Sequence, residues 1–311
     1  MAVRTECAPR IISVSRRTDI PAYYADWFMR QVEKGEVYYP NPVSFQPVRL
    51  SLLPEQVLLL VFWTRNPHPL ERHLDRLEAR YGCAFYFHFT INGLPKILES
   101  NNPPLDFAIA TFRRLAQRYP GRVYWRYDPI VLSDHTPVDY HLKKFNELAR
   151  RLRGATTRCY FSFVQWYQKV RRNFAGAARQ HGIQFHDPPL AERLALVQAL
   201  ADLAAPHGIQ LYSCCQDALC AVPQVLKARC VDAEAVRQWA PERWRRLRAA
   251  PTREDCGCYE SRDLGYYDSC PHGCLYCYAN LNRAKARAFH DRYLRNRTLP
   301  LDLQARTLPP G

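Results

Sequence analysis

Residues 57–82 read VLLLVFWTRNPHPLERHLDRLEARYG: an unbroken apolar run, a polar turn, then a segment whose apolar residues recur at spacings of three and four until a glycine. An apolar run without alternation suits a strand buried on both faces of a parallel sheet. The second half suits an amphipathic helix with Gly82 at its C-terminal end. The pattern recurs along the chain. RIISVS (10–15), AFYFHFTI (84–91), RVYWRYD (122–128), RCYFSFV (158–164) and IQLYSC (209–214) are the other strand-like runs, and helical patterns over 22–35, 106–121, 138–154 and 191–208 each end at glycine. Strand alternating with helix defines repeated βα units, hence an α/β fold: a TIM-like (β/α) barrel, partial or complete, or an open doubly wound sheet.

The strand ends choose between the two. Nearly every run turns polar as it finishes: Arg16, Arg17, Thr18 and Asp19; Thr64, Arg65 and Asn66; His88 and Thr90; Arg126 and Asp128; Ser162 with Gln165; Ser213 and Cys214. In a barrel these ends converge on one face, where active sites are built. An open sheet gathers polar groups at one switch point and usually carries a glycine-rich phosphate turn, and no G-x-G-x-x-G or Walker sequence is present. A barrel is therefore expected. Arg126 and Asp128 are its candidate catalytic pair, and Arg16, Asp19 and Thr64 its candidate cofactor-binding residues. The charged ones can equally form salt bridges across the barrel mouth. His88 reads as a hydrogen-bonded core histidine.

The 311 residues are 47% hydrophobic, enough for one large domain, and carry a net charge of +15. A sequence pI near 9.4 favours contact with phosphates, nucleic acid or an acidic partner. The first ten residues, MAVRTECAPR, hold charges of both signs and lack an apolar signal region, and no apolar stretch is long enough to span a bilayer. A cytoplasmic protein without a membrane partner is expected. In that reducing compartment, clustered cysteines bind metal or do redox chemistry more often than they form disulfides.

Of the twelve cysteines, most lie from Cys214 onward, where the βα texture gives way to proline and short irregular pieces. This divides the chain into a βα body (1–213), a cysteine-rich cap completing the barrel (214–297) and a loose tail (298–311). Within the cap, YYDSCPHGCLYCYANL (266–281) spaces Cys270, Cys274 and Cys277 as C-x3-C-x2-C. A zinc knuckle normally closes its tetrahedron with two such pairs, or with histidine. Three thiolates can instead hold three corners of a 4Fe-4S cluster and leave one iron open to a cofactor or substrate. Tyr276, beside the last thiol, is placed to cover that site, and His272 lies between the first two. Cys256 and Cys258 form C-x-C, and with Cys230 and one of Cys214 or Cys215, Cys214 being taken here, they make four thiolates. Those suit either a second 4Fe-4S cluster or a zinc ion. Cys7, Cys83 and Cys159 are isolated, and the last two, near predicted strands, read as small buried hydrophobes.

The C-x3-C-x2-C loop, with an aromatic residue before its third cysteine, resembles the signature of the radical S-adenosylmethionine superfamily. That resemblance implies an open iron that chelates S-adenosylmethionine, a 5′-deoxyadenosyl radical made by reductive cleavage, and a one-electron donor such as flavodoxin or ferredoxin. In that superfamily the motif normally follows the first strand, whereas here it comes late. ISVSRRTDIPAYY (12–24), VFWTRNPHPL (61–70), VYWRYDPIVL (123–132), CGCYESRDLG (256–265) and CPHGCLYCYAN (270–280) together resemble an uncharacterised family, a domain of unknown function with a C-terminal cysteine cluster of the radical S-adenosylmethionine type. Some of these pieces are also similar to spore photoproduct lyase-like radical enzymes, but rotated in order. The rotation implies a circularly permuted barrel, with the cysteine loop and its helix as the ancestral first unit.

The resemblance thus implies a radical enzyme of unassigned substrate, and the basic charge adds nucleic acid as a candidate partner. A basic helix after the motif, with Arg283, Lys285, Arg287, Arg292, Arg295 and Arg297, is the expected phosphate-facing element. A second reading, from another class, is a basic nucleic-acid-binding protein that holds zinc or iron-sulfur without radical chemistry.

Overall fold

The six strand-like runs all form strands, joined side by side in chain order. In a computed structural model of the chain, residues 4–6, 9–41, 44, 46–244 and 246–300 are described; Cys7 and positions 301–311 of the expected tail fall outside them. The order begins with β1 (Arg4–Glu6), β2 (Arg10–Val14), α1 (Ile20–Tyr23), α2 (Ala25–Lys34), β3 (Glu36–Pro40) and β4 (Pro47–Ser51). The stretch that reads as strand then helix becomes β5 (Val57–Thr64), α3 (His68–Glu71) and α4 (Leu74–Tyr81). Next come β6 (Phe85–Thr90) with α5 (Leu105–Arg118), β7 (Val123–Ile130) with α6 (Val138–Leu152), and β8 (Arg158–Phe163) with α7 (Gln168–His181) and α8 (Leu190–Ala204). The body ends with β9 (Gln210–Ser213), and the cysteine-rich part holds β10 (Val225–Lys227), α9 (Ala233–Trp239), β11 (Ser261–Asp263) and α10 (Arg283–Asn296).

One sheet carries eight strands in the order β10-β9-β8-β7-β6-β5-β2-β11, all pairings parallel. The last strand, β11, lies beside the first of them, β2, with Asp263 opposite Ser13. Among the described residues no ladder joins β10 to β11. The fold is therefore α/β with an open, eight-stranded parallel sheet. A small sheet, β1-β4-β3, stands apart from it.

Successive residues of a strand point to opposite faces, and here both faces are covered. Towards the helices β5 sends Leu60 and Phe62, β6 sends Phe85, Phe87 and Phe89, and β7 sends Trp125 and Tyr127, all fully buried. Burying each such side chain stabilises the fold by about 2 kcal/mol before the entropy of ordering it. The other face carries Leu59, Val61, Tyr86, Tyr124 and Tyr160, and against it pack Cys214, Cys230 and Cys258. Register places Trp63 opposite His88, His88 opposite Tyr124, Arg126 opposite Tyr160, and Tyr160 opposite Tyr212. The part of the cysteine-rich region around Cys214, Cys230 and Cys258 thus covers the second face, whereas Tyr266 and Tyr293 pack with the first. Cys159 is a buried hydrophobe as expected, but Cys83 is exposed, because it leaves the helix end just after Gly82.

Candidate functional site

The C-x3-C-x2-C loop runs from the carboxyl end of β11 to the start of α10, whose N-terminus is capped by the Asn282 side chain. Its backbone is held on several sides. Leu275 N donates to Leu98 O (2.9 Å), Asn101 N to His272 O (3.1 Å), Asn101 Nδ2 to Pro271 O (2.7 Å), Asn280 Nδ2 to Cys270 O (2.7 Å) and Asn173 Nδ2 to Leu275 O (2.9 Å). Gly273 has φ +73°, and a Cβ there would run into Ser100 Oγ. His272 is not free to ligate: its Nε2 pairs with Asp19 Oδ2 (2.7 Å) and its Nδ1 with the Tyr23 hydroxyl (3.1 Å). Burial pushes the Cys270 and Cys277 thiols up and Cys274 up to about 12, so without a cation these groups stay protonated.

Asp19, a candidate cofactor ligand, is spent on this scaffold. It is buried and caps α1 by accepting from Ala22 N (3.0 Å), while Oδ2 also accepts from Arg65 N (2.7 Å). Thr64 likewise turns its hydroxyl to Asn66 N (3.0 Å) and shapes the loop after β5. Arg16 faces the inner side of the sheet, its guanidinium 5.7 Å from the Trp63 ring and bonded to Ser261 Oγ (3.2 Å).

Two charged knots then form at the strand ends. In the first, Arg65 donates to Glu99 Oε1 (2.7 Å), to the Tyr276 hydroxyl (2.6 Å) and to Asp128 O (3.4 Å), and Tyr276 also hydrogen-bonds Glu99. Burial works against the Arg65 charge, but Glu99 and Tyr276 raise its pKa well above the usual range. The Tyr276 hydroxyl is therefore fixed by Arg65 and Glu99, close to Cys274. Asn92 orders Asp128 by accepting from its N–H (2.8 Å), and the Asp128 carboxylate takes bonds from Arg126 and Ser162. In the second knot the buried Asp263 accepts from Ser13 Oγ (2.7 Å), Ser15 Oγ, Arg16 N (2.8 Å) and Gly265 N (3.0 Å). Burial opposes its charge, yet Arg16 and Arg17 hold its carboxyl below the usual range. Between the knots, Trp63 stacks on His88 at 4.4 Å, and neither Trp63 Nε1 nor His88 Nδ1 has a protein partner.

The second cysteine set packs over the inner face. Cys214 Sγ lies 3.5 Å from Cys230 Sγ and 3.9 Å from Cys215 Sγ. Cys230 also neighbours Cys258, Cys258 neighbours Cys256 and Cys256 neighbours Cys215, so the five gather as a ring in one packed cluster. Around it, Arg126 Nη1 donates to Cys230 Sγ (3.2 Å), Val231 N to Cys258 Sγ (3.4 Å) and Arg253 Nη2 to Cys214 Sγ (3.7 Å). Hydrogen bonds from Cys215 and Cys230 push the Cys214 thiol down, against burial and with help from Arg126 and Arg253. The expected four thiolates are thus brought together, with Cys215 as a fifth neighbour, while Cys220 is not in the ring. Among the described residues, no group of three or more Cys, His, Asp or Glu, in either cysteine set, is arranged as it stands to hold a metal ion.

Sequence reading had no reason to select Glu99, Asn92 or Asp263. Glu99 and Asn92 lie in the long segment after β6, and their importance is purely tertiary. Asp263 sits in CGCYESRDLG, a stretch singled out for its cysteines rather than its aspartate.

Fold and site define an α/β protein with one cysteine set at the carboxyl ends of parallel strands and a second over the inner face of the sheet. Residues 11–279 match the family described as Domain of unknown function (DUF1848), and the chain belongs to that family. No curated protein matches the chain. Among solved structures, a D-hydantoinase is similar at a TM-score of 0.30 and 10% identity, over 61% of this chain and 44% of that one. Dihydropyrimidinase from Brevibacillus agri NCHU1002 is similar at 0.29 and 12% identity, over 62% of this chain and 38% of that one. The chain spans less than half the length of each, and likenesses this faint carry no argument. No helix among the described residues is long and apolar enough to cross a membrane.

Proposed function

We propose that this protein is a radical S-adenosylmethionine enzyme in which Cys270, Cys274 and Cys277 hold a 4Fe-4S cluster. The observation that carries the reading is the loop's place: it follows a strand of the parallel sheet, precedes a helix and offers three thiols, with His272 between the first two occupied by Asp19 and Tyr23. When bound, the cluster would supply the electron that cleaves S-adenosylmethionine and so yields a 5′-deoxyadenosyl radical.

The chain's own residues would do the rest. Tyr276, fixed by Arg65 and Glu99, shields the cluster side of the site from water. Arg16, Arg126 and Asp128 present charge to a polar molecule at the strand ends, where the unpartnered Trp63 Nε1 and His88 Nδ1 also lie. The position of β11 beside β2 suits the rotated order of a permuted, partial barrel, in which β11, the cysteine loop and α10 are the ancestral first unit. A flavodoxin or ferredoxin would reduce the cluster, and a nucleic acid is the substrate class that the +15 charge favours.

Anaerobic reconstitution with iron and sulfide tests this. The product should show a spectrum that changes on adding S-adenosylmethionine, and reduction should release 5′-deoxyadenosine. Unchanged release from a Cys270→Ala, Cys274→Ala, Cys277→Ala variant would refute the proposal.

A further inference from the structure

The five thiols lie where the sheet fails to close. Cys214 and Cys215 follow β9, Cys230 follows β10, and Cys256 and Cys258 precede β11, so the ring is made of segments from both edges of the open sheet. The two edge segments already touch: Tyr259 N donates to Val231 O (3.0 Å), and a Cβ on Gly257 would stand only 2.7 Å from Ala228 O. Among the described residues no backbone ladder continues that contact; the side chains that do include Arg229, over the Tyr259 ring, and the cysteines.

Their spacing discriminates between metals. A tetrahedral ion with metal–sulfur bonds of about 2.3 Å sets its sulfurs about 3.8 Å apart. Thiolates on separate corners of an iron-sulfur cube point away from one another and stand about 6 Å apart. The 3.5 Å from Cys214 to Cys230 is of the first kind and not the second. The surroundings match as well. Four thiolates and one dication leave a charge of about −2, and two arginines, Arg126 and Arg253, donate to the ring from either side. The Cys230 carbonyl is itself fixed by the Tyr86 hydroxyl and His88 Nε2, each at 2.7 Å.

We propose that this pocket holds a single zinc ion on Cys214, Cys230, Cys256 and Cys258, and that the ion fastens the β10 edge of the sheet to the β11 edge. As they stand, no three of these side chains are arranged to hold a metal ion, so binding has to draw the sulfurs inward. Cys214, Cys230 and Cys258 are the buried members, whereas Cys256 lies on an open hollow lined by Lys227, Thr252 and Arg253, through which an ion can arrive. Cys215 is the outer neighbour: it is half-buried, 3.9 Å from Cys214 and near Cys256. The proposal is independent of the radical reading, because the C-x3-C-x2-C loop contributes nothing to the pocket.

The test uses the full chain carrying Cys270→Ala, Cys274→Ala and Cys277→Ala, so that only the second set can bind. Purified protein should contain one zinc per chain and no sulfide. After stripping by chelator, added Co2+ should give the absorption of a four-thiolate tetrahedral ion. That signal should vanish on adding Cys230→Ser or Cys258→Ser and persist with Cys215→Ser. Hydrogen exchange should quicken in β10 and β11 on stripping and stay unchanged in β6 and β7. If the serine variants do not fold, the exchange comparison on stripped and Zn2+-reloaded protein decides the matter alone. Iron with sulfide in this background, no metal in folded protein, exchange in β10 and β11 indifferent to zinc, or loss of the cobalt signal with Cys215→Ser would each overturn the proposal.

Discussion

Arg126 donates from Nη1 to Cys230 Sγ at 3.2 Å and from Nη2 to the Asp128 carboxylate, so one buried guanidinium joins the second cysteine set to the strand-end site. The path continues through Asp128 O to Arg65, and from Arg65 to Tyr276 beside Cys274. The burial of Arg126 disfavours its charge, but Asp128 together with Cys230 and Cys214 more than restores it.

Replacing Arg126 should therefore do more than remove a surface charge. Arg126→Gln leaves the Asp128 carboxylate with Ser162 alone and deprives Cys230 of its donor. Removing one partner of a buried pair costs several kcal/mol, and the partial exposure of Asp128 reduces that here to about 2–3 kcal/mol. Urea unfolding of both proteins measures the loss, and a difference below about 0.5 kcal/mol, the range of an ordinary surface substitution, would show that the pair does not hold the site together.

Gly273 offers a test of the cysteine loop. Its φ of +73° is costly for other residues, and an added methyl group collides with Ser100 Oγ. Gly273→Ala should destabilise the protein by about 1–3 kcal/mol and lower the iron bound at Cys270, Cys274 and Cys277. Ser100→Ala relieves the collision but leaves the strained φ, so the double variant should recover only part of the loss. Iron content and thermal midpoints read both effects.

Much of this site was legible because strand ends and cysteine spacing are local signals. The six long strands announce themselves by unbroken apolar runs, and C-x3-C-x2-C stands out at once. β10 and β11 could not be read in the same way. VLK and SRD are three residues each, and β11 is almost wholly polar because Asp263 and Ser261 serve Arg16. Helix α7, QKVRRNFAGAARQH, escapes notice because charge and glycine dilute its apolar face, although Val170, Phe174 and Ala177 still bury themselves at helical spacing. The scaffold bonds of Asp19 and Thr64 are hidden from the sequence for a related reason. A polar residue after a strand can face the mouth or cap the next turn, and sequence spacing alone does not separate the two.

His141 should give the fold a pH dependence of its own. It is fully buried, with Nδ1 on the Tyr127 hydroxyl (2.8 Å) and Nε2 on Val131 O (2.9 Å). Burial lowers its pKa to about 4, against 6.5 for the unperturbed group. The unfolded chain therefore binds the proton more tightly, so this stabilisation is complete above pH 6.5 and is lost as pH falls towards 4. The full difference amounts to about 3 kcal/mol. Urea midpoints between these limits should fall with acidity and flatten in His141→Gln. The flattening is partial, because burial also holds His88 neutral and adds a slope of the same sign. A variant that keeps the entire slope would clear His141 of the effect.

The last prediction concerns the partner. Helix α10 exposes Arg283, Lys285, Arg287, Arg292 and Arg295 along its length, while Ala286 and Tyr293 anchor its other side. It starts where the cysteine loop ends, so a polyanion lying on it would pass close to the proposed cluster. If phosphates are the ligand, binding of a mixed-sequence oligonucleotide should weaken steeply between roughly 50 and 200 mM salt. Each lost phosphate contact removes about 0.9 from the log–log slope on duplex DNA and about 0.7 on single strands. Lys285→Ala, Arg287→Ala, Arg292→Ala and Arg295→Ala together should thus flatten the slope by about 3. These side chains are exposed and contribute little to folding, so the thermal midpoint should not move with the slope. An unchanged slope would place the phosphates elsewhere on the surface, and no binding even at low salt would leave a small molecule or a peptide as the substrate.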